Sequence, residues 1–548
     1  MVAFLAMLSG CATPTIAPTP TPTRTATPTP TLTPSPTPTP AFPVTIGCEP
    51  GVPVEICVDL QSRVAEDAAH FAWTADPGAA DVRLSLNAAG PSSQPVGTWT
   101  YAVAAPFFTI ESDVGLAEVQ GAWQGAPSAD WGSRPLLMTP DTLQTWAAYW
   151  GDPAGEIVRA VEASTILTEA LASDGWALVP FHELTPRWKV LRVEGLSPVE
   201  KDPQLEKYQL QAPIYISSAA RPETIALLAL DARAFDNRRE GAMTIVAMTG
   251  VTALSRGTAS LMERAGVTYP ARDILPWFED ADFVHISNEV SFKPDCVPAS
   301  SGSVSFCAHD RYIELLEEIG TNVVELTGNH LGDKGREWII HTLEMYRERG
   351  WQWYGGGADL ADATRPLTIT HNGNHIAFIG CNPSSGFYAD DNNPGAAPCY
   401  EPGQRELFLT KIRELRAQGY LPIMTVQHRE VDQYTPPPAH LVDFHAYAEA
   451  GAVIVQGSQA HWVKPVGFHG ETFIHYGPGN FFFDQMWDTA VRQGYVTRYT
   501  FFEGRLLSID LRPTIIEEYG RPRPMTDDDP DPAANRVQFL EMMFELRP

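Results

Sequence analysis

Residues 321–335 have the sequence TNVVELTGNHLGDKG, and this stretch decides the fold class that the chain predicts. The largely apolar run 323–326 is typical of a short buried strand. Asn329, His330 and Asp333 follow it closely, in the position where an α/β sheet collects ligands and chemistry. Asn supplies a neutral oxygen ligand, and His serves as a metal ligand or a general acid. A tight turn with a capping Asn would explain the same letters, so the interpretation depends on the surrounding sequence.

The same alternation of short apolar runs and amphipathic stretches extends from residue 242 to residue 515 and predicts one α/β domain there. The predicted strands are 243–249, 283–286, 323–326, 375–379, 423–426, 452–455, 472–475 and 506–511. The predicted helices are 311–319, 336–349, 405–418 and 438–450. Residues 516–548 form an acidic tail, and its part beyond Pro524 is expected to stay loose until a final helical piece.

Residues 44–240 predict a separate α/β unit, with strand patterns at 82–86, 99–103 and 177–180 and helical patterns at 141–150 and 157–172. The pieces YAVAAPF (101–107) and LVPF (178–181) resemble type 2 periplasmic substrate-binding proteins, which have two α/β lobes around a cleft. A plain α/β accessory domain stays open as the alternative. The neighbouring His182 and Glu183 are expected to be a solvated loop pair. The polar, Arg-rich segment 232–241 is expected to be a linker.

The composition bounds the class of protein. The 548 residues allow two to four domains with an ample core. A formal net charge of −28 argues against a nucleic-acid partner, because such a surface would not neutralise phosphates. The sequence contains no apolar run of about 18 residues, so it predicts no ordinary transmembrane helix.

The beginning of the sequence predicts a lipid anchor and a stalk. Residues 1–10, MVAFLAMLSG, form an apolar stretch that is shorter than usual for a signal and has no positive charge. The letters LSGC at 8–11 resemble the bacterial lipobox, in which the Cys, here Cys11, is acylated and becomes the first mature residue. Residues 12–43 are mostly Thr and Pro, which predicts an extended polyproline-like stalk. Together these segments predict an exported protein anchored to the outer face of the cell membrane.

Six further cysteines fall as three pairs of close neighbours. They are Cys48, Cys57, Cys296, Cys307, Cys381 and Cys399. An even number in an exported chain indicates disulfides, and we expect the three local pairings 48–57, 296–307 and 381–399 among the fifteen possible connectivities. No C-x-x-C is present, so the sequence does not indicate a zinc ribbon.

Polar side chains follow several predicted strands of the second domain at the point where each strand ends. Strand by strand they are Asn288 and Glu289, Asn329 and His330, His428 and Glu430, Gln459 and His461, and Asn480 within YGPGNFFFD, residues 476–484. Because the ends of neighbouring strands meet at one edge of a sheet, we expect these side chains to converge on one site. The alternative is a set of unrelated turns.

These residues also carry a family resemblance. The order S-N-E, G-N-H-x-x-D-x-G, a lone H after a strand, G-x-x-x-H and Y-x-x-G-N-F-x-F-D resembles the CapA family over residues 242–515. That family is linked to capsular poly-γ-glutamate synthesis and belongs to the calcineurin-like metallophosphatase superfamily. The resemblance implies an α/β (α+β) fold, a four-layer αββα metallophosphatase-like sandwich with a metal-type site at the strand ends.

The resemblance also implies roles for individual residues. It implies that the metal ligands are Glu289, Asn329, His428 and His461. It implies that the catalytic groups are His330 as general acid, Asp333 and Arg256. Further pocket residues are expected to be Asn288, Gln459, Glu430 and Asn480.

The chain departs from the family pattern at two positions. The family has Gly-Asp and then Arg after its first strand, whereas here Gly250 and Arg256 match but Val251 occupies the Asp position. Gln459 stands where the family has the first of two His. A two-metal site needs several anionic ligands. We therefore expect at most one divalent ion, of unknown identity.

Two functions fit this sequence. The first is a cell-envelope CapA-like protein that handles an anionic cell-surface polymer such as poly-γ-glutamate, with the capsule synthesis machinery, by metal-assisted hydrolysis or transfer. The second is a non-catalytic binding or assembly lipoprotein with a degenerate site, whose first domain captures a small ligand. The first function requires metal and turnover and the second requires neither, so metal analysis of the purified protein separates them.

Overall fold

The structure is a computed structural model that describes residues 42–548 except 91, 219–221, 301, 385 and 459. The predicted lipobox with Cys11, nearly all of the predicted stalk and Gln459 therefore lie outside the described residues. Phe42–Pro548 form one compact unit. Within this part, no helix combines the length and the apolar character that crossing a membrane requires.

The first region, residues 42–240, is built on one mixed β-sheet flanked by helices. Its strands are β1 (Val44–Cys48), β2 (Phe71–Trp73), β3 (Val82–Ser85), β4 (Gln94–Pro106), β5 (Asp113–Val114), β6 (Leu136–Met138), β7 (Val158–Ala160), β8 (Trp176–Pro180), β9 (Trp188–Val190), β10 (Arg192–Val193) and β11 (Gln211–Ser217). Its helices are α1 (Val54–Glu66), α2 (Leu116–Trp123), α3 (Pro140–Trp150) and α4 (Ile166–Ser173). The strand order is β2-β1-β3-β11-β4-β8-β6-β7, and β9 also pairs with β4. Strand β4 runs through both halves of the sheet, since it pairs with β11 in one half and with β8 and β9 in the other.

One predicted helix of this region is wrong at its start. The predicted helix 157–172 is in fact strand β7, parallel to β6, followed by helix α4, which begins only at Ile166. Between them lies the polar run 162–165, EAST, which interrupts the apolar spacing that a single helix would need. The apolar residues Ile157 and Val158, at the start of the predicted helix, instead lead into strand β7 at the edge of the sheet.

The segment 232–241 is a packed part of this region rather than a free linker. Phe235 is buried. The Asn237 side chain pairs with the backbone of Thr100 in β4, because its Oδ1 accepts from the Thr100 N–H at 2.7 Å and its Nδ2 donates to the Thr100 carbonyl at 2.9 Å. These two bonds fix both the segment and the orientation of the Asn237 amide.

The two halves of the first sheet are joined across the facing starts of helices α1 and α3. The Val54 N–H at the start of α1 donates to Asp141 Oδ1 at the start of α3, at 3.1 Å. Thr145 in α3 donates from Oγ1 to the Gly51 carbonyl at 2.8 Å. Free N–H groups at a helix start are a ready anion site, and here one of them already has a carboxylate partner. Capture of a small ligand by this region stays a prediction.

The second region, residues 242–548, carries the predicted α/β domain. Its strands are β12 (Met243–Thr252), β13 (Phe283–Asn288), β14 (Phe292–Lys293), β15 (Ala308–His309), β16 (Thr321–Glu325), β17 (Gln352–Tyr354), β18 (Gly356–Gly357), β19 (Leu367–His371), β20 (Asn374–Cys381), β21 (Gly395–Ala396), β22 (Leu421–Val426), β23 (Ile454–Gly457), β24 (Val466–His469), β25 (Thr472–His475), β26 (Gln493–Phe502), β27 (Arg505–Glu517) and β28 (Arg521–Pro524). Its helices are α5 (Arg256–Ala265), α6 (Ile313–Glu318), α7 (Glu337–Glu348), α8 (Leu360–Ala363), α9 (Pro402–Ala417), α10 (Pro438–Glu449), α11 (Thr489–Arg492) and α12 (Arg536–Glu545). Every predicted strand and helix of this region is present, with ends shifted by a few residues.

Two sheets pack face to face in this region. One has the order β17-β16-β13-β12-β26-β27-β28 and the other β19-β20-β22-β23-β25-β24. A core that includes Val246, Ile376 and Ile454 fills the space between them. Helices α5, α6 and α7 cover the outer face of the first sheet, and helices α9 and α10 cover that of the second. This confirms the four-layer αββα sandwich, in which strands buried on both faces are nearly continuous in apolar residues.

The acidic tail is packed, and its part beyond Pro524 is not loose. Strand β28 pairs with β27, and helix α12 buries Phe539, Leu540, Met543 and Phe544 against the core between the sheets. The acidic letters are paired as well, since Asp529 accepts a hydrogen bond from Arg523 at 2.6 Å. The final helix is confirmed, and its apolar face explains why the tail is held.

Aromatic side chains make contacts between the two regions of the chain. Phe107 and Phe108 of the first region pack on Phe473 and on Phe544 of the second, with ring centroids 5.6 and 5.2 Å apart.

Three local disulfides stabilise the two regions. The predicted pairings 48–57, 296–307 and 381–399 are confirmed, with Cα–Cα distances of 6.1, 6.1 and 5.8 Å. Such distances are normal for disulfides.

Candidate functional site

The carboxyl ends of the parallel strands meet where the two sheets approach one another. Val251 in β12 forms a parallel bridge with Asn480, and Val290 after β13 forms one with His330. These pairings bring together four of the segments that the sequence predicted to converge. Val251 is buried and takes part in the contact, so an apolar side chain fills the position that the family resemblance assigns to an acid.

Two glycines allow this close approach. A Cβ on Gly250 would lie 2.0 Å from the Gly479 carbonyl oxygen, and one on Gly328 would lie 2.7 Å from the Cα of Glu289. Both distances are shorter than any side chain permits, so the segments can meet only at residues without a Cβ. The two glycines that the motifs carry are therefore explained by packing.

His330 and Asp333 form a hydrogen-bonded pair at the end of β16. The ring Nδ1 lies 2.7 Å from Asp333 Oδ2, which also accepts from the Phe306 N–H at 2.8 Å. Burial alone would lower the pKa of His330, but the Asp333 hydrogen bond and the charges of Glu289 and Asp333 outweigh it and hold the pKa above its ordinary value. The pair offers a proton donor next to the charge of Glu289, and its role in catalysis stays a prediction.

Arg256 is held in a structural ion pair. Its Nε donates to Asp484 Oδ1 at 3.0 Å and its Nη1 to the Ser303 carbonyl at 3.2 Å. The guanidinium lies 4.8 Å from the ring centre of Phe306 and 5.0 Å from that of Phe483. The charge of Arg256 is thus neutralised by the last residue of the YGPGNFFFD motif, and its catalytic role stays a prediction.

His461, Asn480 and Glu430 lie together, as predicted. The His461 Nδ1 is 2.7 Å from Asn480 Oδ1, which can only accept, so Nδ1 carries the hydrogen. The other ring nitrogen, Nε2, lies 4.0 Å from Glu430 Oε1. His461 also stacks on Phe483, with ring centroids 5.0 Å apart.

His428 turns toward helix α10. Its Nε2 lies 2.9 Å from Asp443 Oδ2, and its Nδ1 accepts from the Arg429 N–H at 2.9 Å. The ring lies 3.8 Å from that of His440. Both ring nitrogens therefore have hydrogen-bond partners, and a metal role for His428 would require the ring to turn away from Asp443.

Asn288 faces the outer core rather than the other site residues. Its Nδ2 donates to the Val290 carbonyl at 2.8 Å and to the Tyr346 hydroxyl of α7 at 2.7 Å. The sequence placed it in the pocket because it precedes Glu289, but successive side chains of a strand point to opposite faces. For this reason Glu289, and not Asn288, lies on the side of His330.

A buried polar network that the sequence motifs do not indicate lies beneath the strand ends. Gln427 accepts at Oε1 from Ser458 at 2.9 Å and from Thr327 at 3.3 Å, and its Nε2 lies 3.4 Å from Asn329 Oδ1. The alternation of side chains along β22 was the available signal, because it places Gln427 on the face opposite to its neighbour His428. Gln427 thus contacts Asn329, whereas His428 turns toward helix α10.

Glu325 lies at the base of this network and is completely buried. Thr327 donates to its Oε1 at 2.6 Å. Burial raises the pKa of the Glu325 carboxyl, although hydrogen bonds from nearby hydroxyl groups oppose the shift. His285 lies 3.8 Å away and is kept neutral, because burial lowers its pKa to about 3. The network therefore holds an acid without a cationic partner within it.

These residues do not fit a pair of metal ions. Among the residues that the structure describes, three His, Cys, Asp or Glu side chains have ligand atoms within 4.8 Å of one another only at Glu55, His182 and Glu183, in the first region. At the strand ends, Val251 removes one carboxylate and His428 has both nitrogens in hydrogen bonds. A two-metal centre needs those ligands. The expected single divalent ion stays a prediction.

The group in the first region is more ordered than the expected solvated loop pair. His182 Nε2 lies 2.9 Å from Glu55 Oε2, and its Nδ1 lies 3.3 Å from Asn237 Nδ2. Because Asn237 presents its NH₂ there, Nδ1 must accept and Nε2 must carry the hydrogen. In that tautomer Nε2 donates to Glu55 and has no lone pair with which to bind a metal. Burial raises the pKa of Glu183 beside it.

Comparisons with known proteins agree with this geometry. The family model described as "Bacterial capsule synthesis protein PGA_cap" matches residues 245–485. This part of the chain belongs to the CapA family. The chain is 24% identical over 298 residues to "Capsule biosynthesis protein CapA" of Bacillus anthracis, covering 53% of this chain and 71% of that protein. It is 26% identical over 282 residues to "PGA biosynthesis protein CapA" of Bacillus subtilis, covering 50% and 72%.

A more distant relative of the CapA-family domain is "Probable polyglutamine synthesis accessory protein" of Mycobacterium tuberculosis, 22% identical over 282 residues, which cover 48% of this chain and 74% of that protein. Among solved structures, an ABC-type phosphate transport receptor from Vibrio cholerae is similar, with a TM-score of 0.29, 14% identity, and coverage of 34% of this chain and 93% of that chain. A Thermus thermophilus protein, TT1561, matches with a TM-score of 0.26, 10% identity, and coverage of 49% and 98%. Neither likeness assigns a ligand to this chain.

Proposed function

We propose that this chain is a cell-envelope accessory protein of surface-polymer synthesis, and that its CapA-family domain binds the polymer without a pair of metal ions. The family supports the first part, because the names of its relatives refer to capsule, PGA and polyglutamine synthesis. For the same reason an anionic polymer such as poly-γ-glutamate, and the machinery that makes it, are the first partners to test.

One observation carries the second part of the proposal. Val251 fills the position of one carboxylate ligand, and both ring nitrogens of His428 are in hydrogen bonds. The other two strand-end histidines are held through Nδ1 alone, His330 by Asp333 and His461 by Asn480. Metal-assisted hydrolysis needs free lone pairs and carboxylates to hold the ion and to acidify a bound water. Hydrogen bonding to a polymer needs only donors and acceptors in fixed positions, and these histidines are fixed.

Of the three histidines, His330 is the one that solvent reaches most. Its side chain is 22% exposed, against 16% for His428 and 5% for His461. A protonated His that donates one N–H to a carboxylate also donates from its other ring nitrogen, and the raised pKa of His330 favours the protonated form. His330 is therefore the expected contact for a carboxylate or carbonyl oxygen of the polymer.

The test combines metal analysis with binding. Protein purified without chelators should contain at most one divalent ion per chain, and poly-γ-glutamate should bind in calorimetry with no release of cleaved fragments. The variant His330→Gln should weaken binding about tenfold, which corresponds to about 1.4 kcal/mol. The control is His341→Gln, because His341 is also paired with an Asp, at 2.9 Å from Asp310, and is also partly exposed, but lies on helix α7.

Two results would overturn this proposal. One is a stoichiometric divalent ion whose removal abolishes cleavage of the polymer, which would restore the hydrolase. The other is equal binding by His330→Gln and the parent protein. A bound ion without cleavage would support the single-ion form of the binding site.

The location is part of the same proposal. We expect lipid attachment through Cys11, on the LSGC letters and the Thr/Pro segment that follows. Replacing Cys11→Ser should move the protein from the membrane fraction to the soluble fraction. An unchanged membrane fraction would contradict the anchor and leave the polymer proposal standing.

A further inference from the structure

Three aromatic side chains line the rim of the strand-end site. Tyr434, Trp462 and Trp487 form this aromatic rim, with ring centroids 5.4 Å apart for the first pair and 6.1 Å for the second. Glu430, on the same loop as Tyr434, lies 4.0 Å from His461, so the rim borders the site. Trp487 is 60% exposed. Exposed Trp beside a polar site is typical of a binding surface, because its large apolar face gains most from being covered.

The rim is held in place by hydrogen bonds between its loops. The Tyr434 hydroxyl donates to Gln493 at 3.0 Å. Lys464, two residues after Trp462, donates from Nζ to the carbonyls of Val431 at 3.2 Å and of Gln433 at 2.6 Å. The loop after β22 is thus fastened to the loop after β23, and the rim keeps its position relative to His461.

The charges around the rim do not suit a polyanion. Glu430 and Asp432 are exposed on the Tyr434 loop, and Asp488 follows Trp487. Burial, together with the charge of Asp488, raises the pKa of Tyr434 to about 12. The nearby cations are Arg429, which is exposed, and Lys464, whose amino group is turned inward to the two carbonyls. Carboxylates outnumber free cations here, so a chain of glutamates would be repelled.

We infer that the aromatic rim is a binding subsite for an uncharged pyranose ring of a surface polysaccharide. One face of a pyranose is a sheet of C–H groups that can cover an indole, while its hydroxyls lie around the edge. Trp487 supplies the indole face, and Glu430 and Asp432 supply acceptors for hydroxyl groups. The inference goes beyond the proposed function and rests on it only for the source of the sugar, a surface polymer.

The experiment titrates the full folded chain with cellotetraose and chitotetraose, two uncharged pyranose oligomers, and follows tryptophan fluorescence and heat. At least one oligomer should give saturable binding at concentrations up to about 10 mM, as weak subsites do. Trp487→Ala should weaken that binding at least tenfold, and Trp487→Phe should weaken it less, because a smaller aromatic face remains. Tyr400→Ala is the matched control, since Tyr400 is 52% exposed and lies on another loop.

Four outcomes would overturn the inference. They are no saturable binding of either sugar, equal binding by Trp487→Ala and the parent chain, a Trp487-dependent response to poly-γ-glutamate instead of sugar, and a dimer in light scattering that Trp487→Ala dissolves. The two proposals separate cleanly in these data. If the chain binds poly-γ-glutamate but no sugar, only the sugar subsite at the aromatic rim is refuted. If it binds sugar but no poly-γ-glutamate, only the choice of poly-γ-glutamate in the proposed function is refuted.

Discussion

Two places in this molecule gather histidines and carboxylates, and they differ in a way that sequence motifs do not reveal. At the strand ends of the CapA-family domain, each His is hydrogen-bonded to its own partner. In the first region, Glu55, His182 and Glu183 have ligand atoms within 4.8 Å of one another without any motif. Yet in both places a neighbour fixes which ring nitrogen carries the hydrogen. Whether a His can bind a metal therefore depends on its hydrogen-bond partner as much as on its position.

The strongest test of this contrast restores the acid that the CapA-family domain lacks. Val251 is only 1% exposed, so Val251→Asp places an uncompensated carboxylate in the interior and should lower the free energy of unfolding by about 3–5 kcal/mol without metal. Combined with Gln459→His, the change should raise affinity for Mn²⁺ or Zn²⁺ if the pocket is a decayed two-metal site. Thermal unfolding and metal titration measure both effects.

The matched control is Val251→Asn, which has the same size and no charge, again combined with Gln459→His. Metal should stabilise the Asp double variant and not the Asn one. If neither gains affinity for metal, the strand-end pocket never held a metal pair, and the polar binding site remains as the explanation.

The second test changes the partner of His182. Asn237→Asp replaces an NH₂ donor by a carboxylate acceptor, so Nδ1 should carry the hydrogen and Nε2 should become free for a metal. Outer partners of this kind change metal affinity by about 10–100-fold. Calorimetry with Zn²⁺ should show that gain, and Asn237→Asp combined with Glu55→Gln should lose it. Unchanged Zn²⁺ affinity in the single variant would contradict the assignment of the hydrogen to Nε2 of His182.

The third and smallest effect concerns His330. Asp333→Asn should lower the pKa of His330, because the hydrogen bond to Asp333 is the main cause of its elevation. A raised pKa in the folded chain adds stability that is complete below the unfolded pKa of about 6.5 and is lost as the pH rises through the folded value. Asp333→Asn should therefore lower the free energy of unfolding by about 1–2 kcal/mol more near pH 5.5 than near pH 9. Unfolding in urea at both pH values, with ring NMR signals of His330, measures it, and an equal loss at both would contradict the pairing.

The fold of the second region was predictable because its signals are local. Runs such as 243–249 and 423–426 are apolar on both faces, and each lies next to an amphipathic helix, so their order alone defines an α/β sandwich. Strand β26 was missed because Gln493–Phe502 mixes aromatic and polar residues that become buried only when β12 and β27 lie on either side. The packed tail was missed because its acidic residues indicate exposure to solvent, whereas arginines close to them in the sequence, such as Arg523 beside Asp529, pair with them.

The sequence predicts which strand ends contribute residues to the site, but not the direction in which each side chain points. Glu430, His461 and Asn480 meet as expected, since each follows a different strand. The partners of His428 and Asn288 were not predictable, because a one-residue shift along a strand reverses the direction of the side chain. Gln427 carries no motif letter, and only the alternation along β22 points to it.

The order of strands in the larger sheet has a consequence for how the protein is made. Strand β26 lies between β12 and β27, yet the segment that defines the family ends at residue 485. Residues 486–548, which are synthesised after that segment, thus complete the middle and one side of a sheet that begins near residue 243. Until they arrive, β12 is an open edge beside an uncovered apolar face, which invites pairing with other chains. During synthesis the nascent protein would therefore depend on chaperones until helix α12 closes the core.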